Sequence, residues 1–303
     1  MPVTASLVNW FVRKRAMAVG ISMSGMAVGG LVLVPLLAWS MTTFGWREAA
    51  FVSGITIWVV GLPAAMLLRR FPQDYGLLPD GDMEESNFET TNEDGQPISV
   101  RADVQVDFTA RQAMKTPAFW LLSFGHSSAL LSVSAATVHQ IPLMVEQAGL
   151  SVQGAANVVA FLMVVQVAGQ IGGGYIGDRF DKRLIIIICM FGHTIGMTFL
   201  ALASSVLPLL LFALFHGLAW GVRGPLVQSI RADYFGSAAF ATIMGYSSLV
   251  MMVGMTAGAL AGGILADFFG DYRFAFVSIG ILTGMGSLFF VFARKPSPPQ
   301  MTN

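Results

Sequence analysis

Arg223 is the residue whose placement most needs a chemical reason. It lies in Gly221-Val222-Arg223-Gly224-Pro225, inside a long apolar run, where a charge is expensive unless it is paired or used. Two uses fit it. It can act as counter-ion to a carboxylate, or it can snorkel or cap the break that Pro225 makes in a helix. Arg231 follows eight residues later, about 12 Å along a helix at 1.5 Å per residue, and reads as the cytoplasmic end of that run. His216 falls two turns before Arg223 on the same helical face, where near-neutral titration suits proton coupling. A neutral packing histidine is the plainer alternative, and His126, His139 and His193 are read that way. Gln166 and Gln170, four residues apart, can hydrogen-bond a solute with Asn157 or join neighbouring helices.

A second group of chemistry-bearing residues runs Gly174-Tyr-Ile-Gly177-Asp178-Arg179-Phe-Asp181-Lys182-Arg183. Asp178 can accept from backbone amides at the N-terminus of another helix, where the dipole favours an anion. Arg179 can pair with Asp233 as a latch made in one conformation and broken in another. The alternative is a basic loop that only holds these ends on the cytoplasmic side. No His, Asp or Glu cluster has metal-ligand spacing, and no nucleophile–base pair suggests an enzyme. The glycines Gly169, Gly173 and Gly177 follow no strand, so they read as helix packing, not as a nucleotide loop. No cofactor is expected.

These residues need elements that tolerate lipid. Of 303 residues, 55% are apolar and 11% charged, far below the roughly 25% charged of a soluble domain. A net charge of zero gives nucleic acid no electrostatic handle. The single cysteine, Cys189, excludes a disulfide framework. Eight apolar runs are long enough to cross a bilayer as helices: 16–42, 46–68, 118–142, 152–177, 184–203, 206–229, 239–266 and 273–293. An all-α, multi-pass membrane protein follows, with lipid as one partner and a small-molecule solute, with or without protons, as the other. Of the 17 Lys and Arg, all but Arg47, Arg273 and Arg223 fall on one side if both termini are cytoplasmic, as the positive-inside rule requires of a cytoplasmic (inner or plasma) membrane. Residues 71–116 carry ten acids and three bases and read as an acidic, flexible cytoplasmic linker.

The chain also repeats itself. Gly45-Trp46-Arg47-Glu-Ala-Ala-Phe51 echoes Asp271-Tyr272-Arg273-Phe-Ala-Phe276, and Trp10-Phe11 echoes Tyr234-Phe235 in nearly the same register. Gly25 and Gly29 in the first span match Gly254, Gly258 and Gly262 in the seventh. Spans 1 and 2 thus pair with spans 7 and 8, while spans 3 to 6 lack counterparts. The expectation is an N-terminally truncated chain whose missing helices would precede Met1.

The loop around Asp178 resembles the loop motif of the major facilitator superfamily. Trp10-Phe11-x-Arg13-Lys14-Arg15-x-x-Ala18-x-Gly20, Gly45-Trp46-Arg47 and Pro72-x-Asp74-x-Gly76-x-x-Pro79-Asp80-Gly81 are similar to its monocarboxylate-porter and oxalate/formate-antiporter-like branch. The resemblance implies two six-helix lobes that give alternating access to a central site. It implies a complete C-terminal six-helix lobe (117–295) and helices 5 and 6 of the N-terminal lobe (1–70). The linker (71–116) and a cytoplasmic tail (296–303) make up the rest. Asp181 stands where the motif has Gly. Gln170 and Gln166 stand where members of the branch carry an Arg and an acid, and no Lys marks the seventh span, so an organic anion would depend on Arg223. The implied function is secondary active transport of a small organic solute, a monocarboxylate or other organic anion, with Arg223, Gln166, Gln170 and His216 at the substrate. Gly174, Asp178, Arg179, Arg183 and Asp233 form the conformational loop. The alternatives are a drug or metabolite exporter of the same fold, or a non-transporting membrane fragment.

Overall fold

The computed structural model describes residues 2–81 and 107–299. All regular structure among them is helical. The order is α1 (Pro2–Trp10), α2 (Arg15–Phe44), α3 (Trp46–Thr56), a π-turn at Ile57–Gly61, α4 (Leu62–Leu67), α5 (Ala110–Met114), α6 (Pro117–Glu146), α7 (Val152–Gly177), α8 (Lys182–Ala201), α9 (Val206–Phe235), α10 (Phe240–Phe269), α11 (Tyr272–Met285) and α12 (Ser287–Phe292). Among the described residues eight stretches are long and apolar enough to cross a membrane, and they coincide with the eight expected spans.

Local sequence explains where these helices start and stop. Thr116 accepts from the Phe119 amide with Pro117 in the first turn. Ser151 accepts from Gly154 and Asp181 from Leu184; all three are N-cap bonds that satisfy orphan amides. Gly236 and Gly270, at φ 81° and 76°, end α9 and α10, where a side chain would resist the left-handed turn.

Helices α6 to α12 share two apolar cores. One gathers Phe119, Leu122, Ile186, Met190, Leu226, Ile230 and Phe290. The other gathers Leu143, Met144, Leu200, Phe212, Phe276 and Ile279. Small residues set the spacing, as expected of helices that meet in lipid. A Cβ on Gly173 would stand 2.6 Å from the Val222 Cα, so α7 and α9 touch backbone to backbone. Gly254 and Gly258 bring α10 equally close to the Ser127 and Leu131 carbonyls of α6.

Residues 82–106 of the expected linker lie outside the described residues. Its two ends are anchored to the turns between α1 and α2 and between α9 and α10. Asp80 accepts from the Val12 and Arg13 amides at 3.1 and 2.9 Å. Asp107 accepts from the Ser237 amide at 2.8 Å and the Ala238 amide at 3.3 Å. Phe108 is buried beside Phe235, and Thr109 and Gln112 form a capping box on α5.

Candidate functional site

Two groups of polar residues stand out, one at the end of the bundle that carries the loop motif and one inside it. At the end, Gly174 lets α2 approach until its first turn lies against α7. A Cβ there would be 2.7 Å from the Met17 Cα. Lys14 gives α2 no side-chain cap. Asp178 supplies it from another helix, accepting from the Ala16 amide at 2.8 Å and the Met17 amide at 3.0 Å. The four-residue spacing from Gly174 to Asp178 is one helical turn, so clearance and cap lie on one face. Partial burial pushes the Asp178 carboxyl above the usual carboxylate range, and the Met17 and Ala16 amides pull it back.

The expected Arg179–Asp233 pair is not made in this structure. Asp233 accepts from Arg15 Nη1 at 2.6 Å and Lys182 Nζ at 2.5 Å. Arg179 stacks on the Tyr175 ring at 3.6 Å and donates to the Tyr175 carbonyl. Tyr175 lies four residues before Arg179, in the last turn of α7, so that contact costs no long-range ordering. Arg15 is 2% exposed and has the greater need of an anion. Arg183 donates to the Val291 carbonyl at 3.3 Å. The residues that meet Asp233 are therefore Arg15 and Lys182, to which the sequence reading gave no part in the loop. Arg15 carries a legible signal, because it is the first residue of a helix whose cap lies elsewhere.

Inside the bundle, Arg223 is 1% exposed. Its Nε donates to His193 Nε2 at 3.4 Å, and Nη1 has no partner. No salt bridge reaches it among the described residues. His216 meets His193 through a bond between their Nδ1 atoms, 3.2 Å long. The structure thus brings Arg223 and His216 together through His193, which the sequence gave a packing role. Gln166 and Gln170 are buried on α7 facing α9 and α2. Gly221 sits under the Gln166 carbonyl and Gly20 under the Gln170 carbonyl. Neither glutamine side chain bonds to Arg223 among the described residues, and Gln170 Oε1 is unpartnered.

Arg231, read as the cytoplasmic end of its apolar run, lies in the last turns of α9 and is 1% exposed. It donates to the Val227 and Leu122 carbonyls and to Ser247 Oγ at 2.9 to 3.1 Å, and lies 3.4 Å from His126 Nδ1. It ties α9 to α6 and α10. Sequence offered no signal for this, because Leu122 and Ser247 become its neighbours only through packing.

The profile of the Major Facilitator Superfamily matches residues 1–173 and 122–303. The chain belongs to the Major Facilitator Superfamily. Its curated relatives include human monocarboxylate transporter 11, 25% identical over 98% of this chain and 60% of that one. Bovine monocarboxylate transporter 13 is 24% identical over 99% and 66%, and the MFS transporter asaE of Aspergillus flavus is 24% identical over 97% and 61%. The chain thus spans about three fifths of the length of these relatives. Among solved structures it is similar to the E. coli fucose:proton symporter FucP, with a TM-score of 0.65 and 12% identity over 97% of this chain and 72% of that one. FucP in its outward conformation gives a TM-score of 0.64 and 14% identity, with 93% and 69% covered. The likeness shows the major facilitator fold. The resemblance of the loop motif to this superfamily, and of the chain to its monocarboxylate side, is borne out. Its members here are transporters, not enzymes.

Proposed function

We propose that this superfamily member is a secondary active transporter of a small organic anion, a monocarboxylate first, working by alternating access in the cytoplasmic membrane with both termini inside. In this reading residues 1–70 belong to the N-terminal lobe as its helices 5 and 6, and 117–295 form the C-terminal six-helix lobe. Residues 71–116 connect them, and 296–303 are a tail. The observation that carries it is Arg223, a guanidinium 1% exposed with an unpartnered Nη1 and no acid paired with it among the described residues. A buried cation without an anion is costly, and a carboxylate substrate supplies the anion. The names of the monocarboxylate transporters among the relatives point the same way. Gln166, Gln170 and His216 are proposed to line the path, and Asp178 and Asp233 to hold the cytoplasmic end closed while Gly174, Arg179 and Arg183 complete the loop.

Uptake of labelled L-lactate into proteoliposomes tests it. Arg223→Ala should lower uptake about tenfold or more, the loss of a charge-assisted bond. Unchanged uptake and affinity would remove Arg223 from the path. An exporter of the same fold is the second reading, favoured by the fungal MFS transporter asaE among the relatives. Lactate accumulation that runs against an imposed inward proton gradient would select it.

A further inference from the structure

Asp80 and Asp107 make the same contact at two turns that repeat one another in sequence. Trp10-Phe11 stands where α1 ends, and Tyr234-Phe235 where α9 ends. After the first, one oxygen of Asp80 accepts from the next two amides, Val12 and Arg13. After the second, Gly236 intervenes, and one oxygen of Asp107 accepts from the two amides that follow, Ser237 and Ala238. A Cβ on Gly236 would collide with that oxygen. The Phe108 amide secures this contact by donating to the Phe235 carbonyl at 2.9 Å. At the first turn the chain leaving α4 is tied down along α1. Trp10 Nε1 donates to the Arg69 carbonyl at 2.9 Å, and Asn9 Nδ2 to the Arg70 carbonyl at 3.0 Å. Among the described residues Asp80 alone has a positive φ without being glycine, at 62°. Such a backbone is costly for any side chain and persists where its surroundings impose it.

These turns present the two halves of the buried ion pair. Arg15 lies two residues after Arg13, and Asp233 three residues before Gly236. Asp178 takes the next amides of the first turn, Ala16 and Met17. A turn without a side-chain cap of its own leaves orphan amides, and loose residues must be ordered at an entropic cost each time a contact is made. We propose that Asp80 and Asp107 are positioning residues for closure of the two lobes, each holding one turn so that Arg15 and Asp233 meet in a single geometry. This rests on the transport reading above and adds what aligns the cytoplasmic ends of its lobes. Asp178 and Asp233 bond across the closure and let go when it opens. Asp80 and Asp107 each bond within their own half, so both turns keep their shape while the halves are apart.

The test uses the full chain in detergent, with Val8→Cys as probe and Cys189→Ala to remove the other thiol. Val8 of α1 is buried against Ala232 of α9 and Phe240 of α10. A maleimide reaches a thiol there only when α1 parts from them, and the labelling rate follows the fraction of time spent open. Asp80→Gly keeps the positive φ and removes the carboxylate. It and Asp107→Ala should each raise the rate about tenfold, the loss of two amide bonds. Asp80→Asn has an amide oxygen that can accept both bonds and should stay within about threefold of the parent. In an Asp233→Asn background either change should add less than about threefold, because the pair they position is gone. Unchanged labelling in both Asp80→Gly and Asp107→Ala overturns the proposal. So does a full tenfold increase on top of Asp233→Asn, which would make both contacts purely local. Labelling as fast in Asp80→Asn as in Asp80→Gly overturns the assignment to the amides and leaves the charge of Arg13, 3.9 Å from Asp80, as the cause. Should Asp80→Gly not fold, Asp107→Ala decides. Uptake of L-lactate by the parent in proteoliposomes separates the two readings: its absence, with labelling as expected, overturns the organic-anion reading and leaves the positioning role standing.

Discussion

Three of the largest fully buried side chains are arginines, and two regions treat them differently. At the loop-motif end, Arg15 meets Asp233, which Lys182 also reaches, and Asp178 caps the helix that Arg15 begins. Deeper in α9, Arg231 is held by carbonyls, a serine and a histidine, while Arg223 has one long bond to a histidine. Arg15 and Arg231 are surrounded by partners, whereas Arg223 keeps an unpartnered Nη1. In the proposed function that difference separates charges buried for stability from one buried for a ligand.

The largest test of this contrast is Asp233→Asn. It strands Arg15 and should destabilise by up to about 3 kcal/mol, the low end for a broken buried pair because Asp233 is itself 30% exposed. Thermal unfolding in detergent reads it, and no change would mean that the end is not held by this pair. Asp178→Ala removes two amide bonds at once and should cost about 2 kcal/mol in the same assay. Arg223→Met should do the opposite in the middle, raising stability by about 1 kcal/mol because it removes an uncompensated buried charge, while transport is lost. A destabilised Arg223→Met would show that Arg223 is structural like Arg231. Arg179→Gln should change stability by less than about 0.5 kcal/mol, as for surface substitutions, because its contacts lie within its own turn. A cost as large as that of Asp233→Asn would restore the latch that the sequence suggested.

A second pair of regions separates packing from repetition. The matched glycine ladders of α2 and α10 look alike in sequence, yet Gly254 and Gly258 press on α6 while nothing lies within 4 Å of a Cβ on Gly25 or Gly29. Gly258→Ala should therefore destabilise by about 1 kcal/mol or more through overpacking. Gly29→Ala should be neutral or stabilise slightly through helix propensity. Equal effects from the two substitutions would erase the distinction.

Much of the fold was legible in the sequence. Span number and approximate ends follow from runs of apolar residues, because hydropathy acts over a few residues, and the caps at Thr116, Ser151, Asp181 and Gly236 act over the same short range. That Asp178 could cap the N-terminus of another helix was legible for the same local reason. The partner of each charge was not legible. Whether Asp233 meets Arg179 or Arg15, whether Arg231 is wet or buried, and whether His193 packs or bridges depend on helix rotation and on which helices become neighbours. Arg15 and Asp233 are 218 residues apart, and no periodicity carries information over that distance. The sequence by itself determined that eight helices span a membrane and which charges lie within reach of it. Only the tertiary structure decided which of those charges is satisfied and which is left open, because desolvation and pairing are set by neighbours brought together in space.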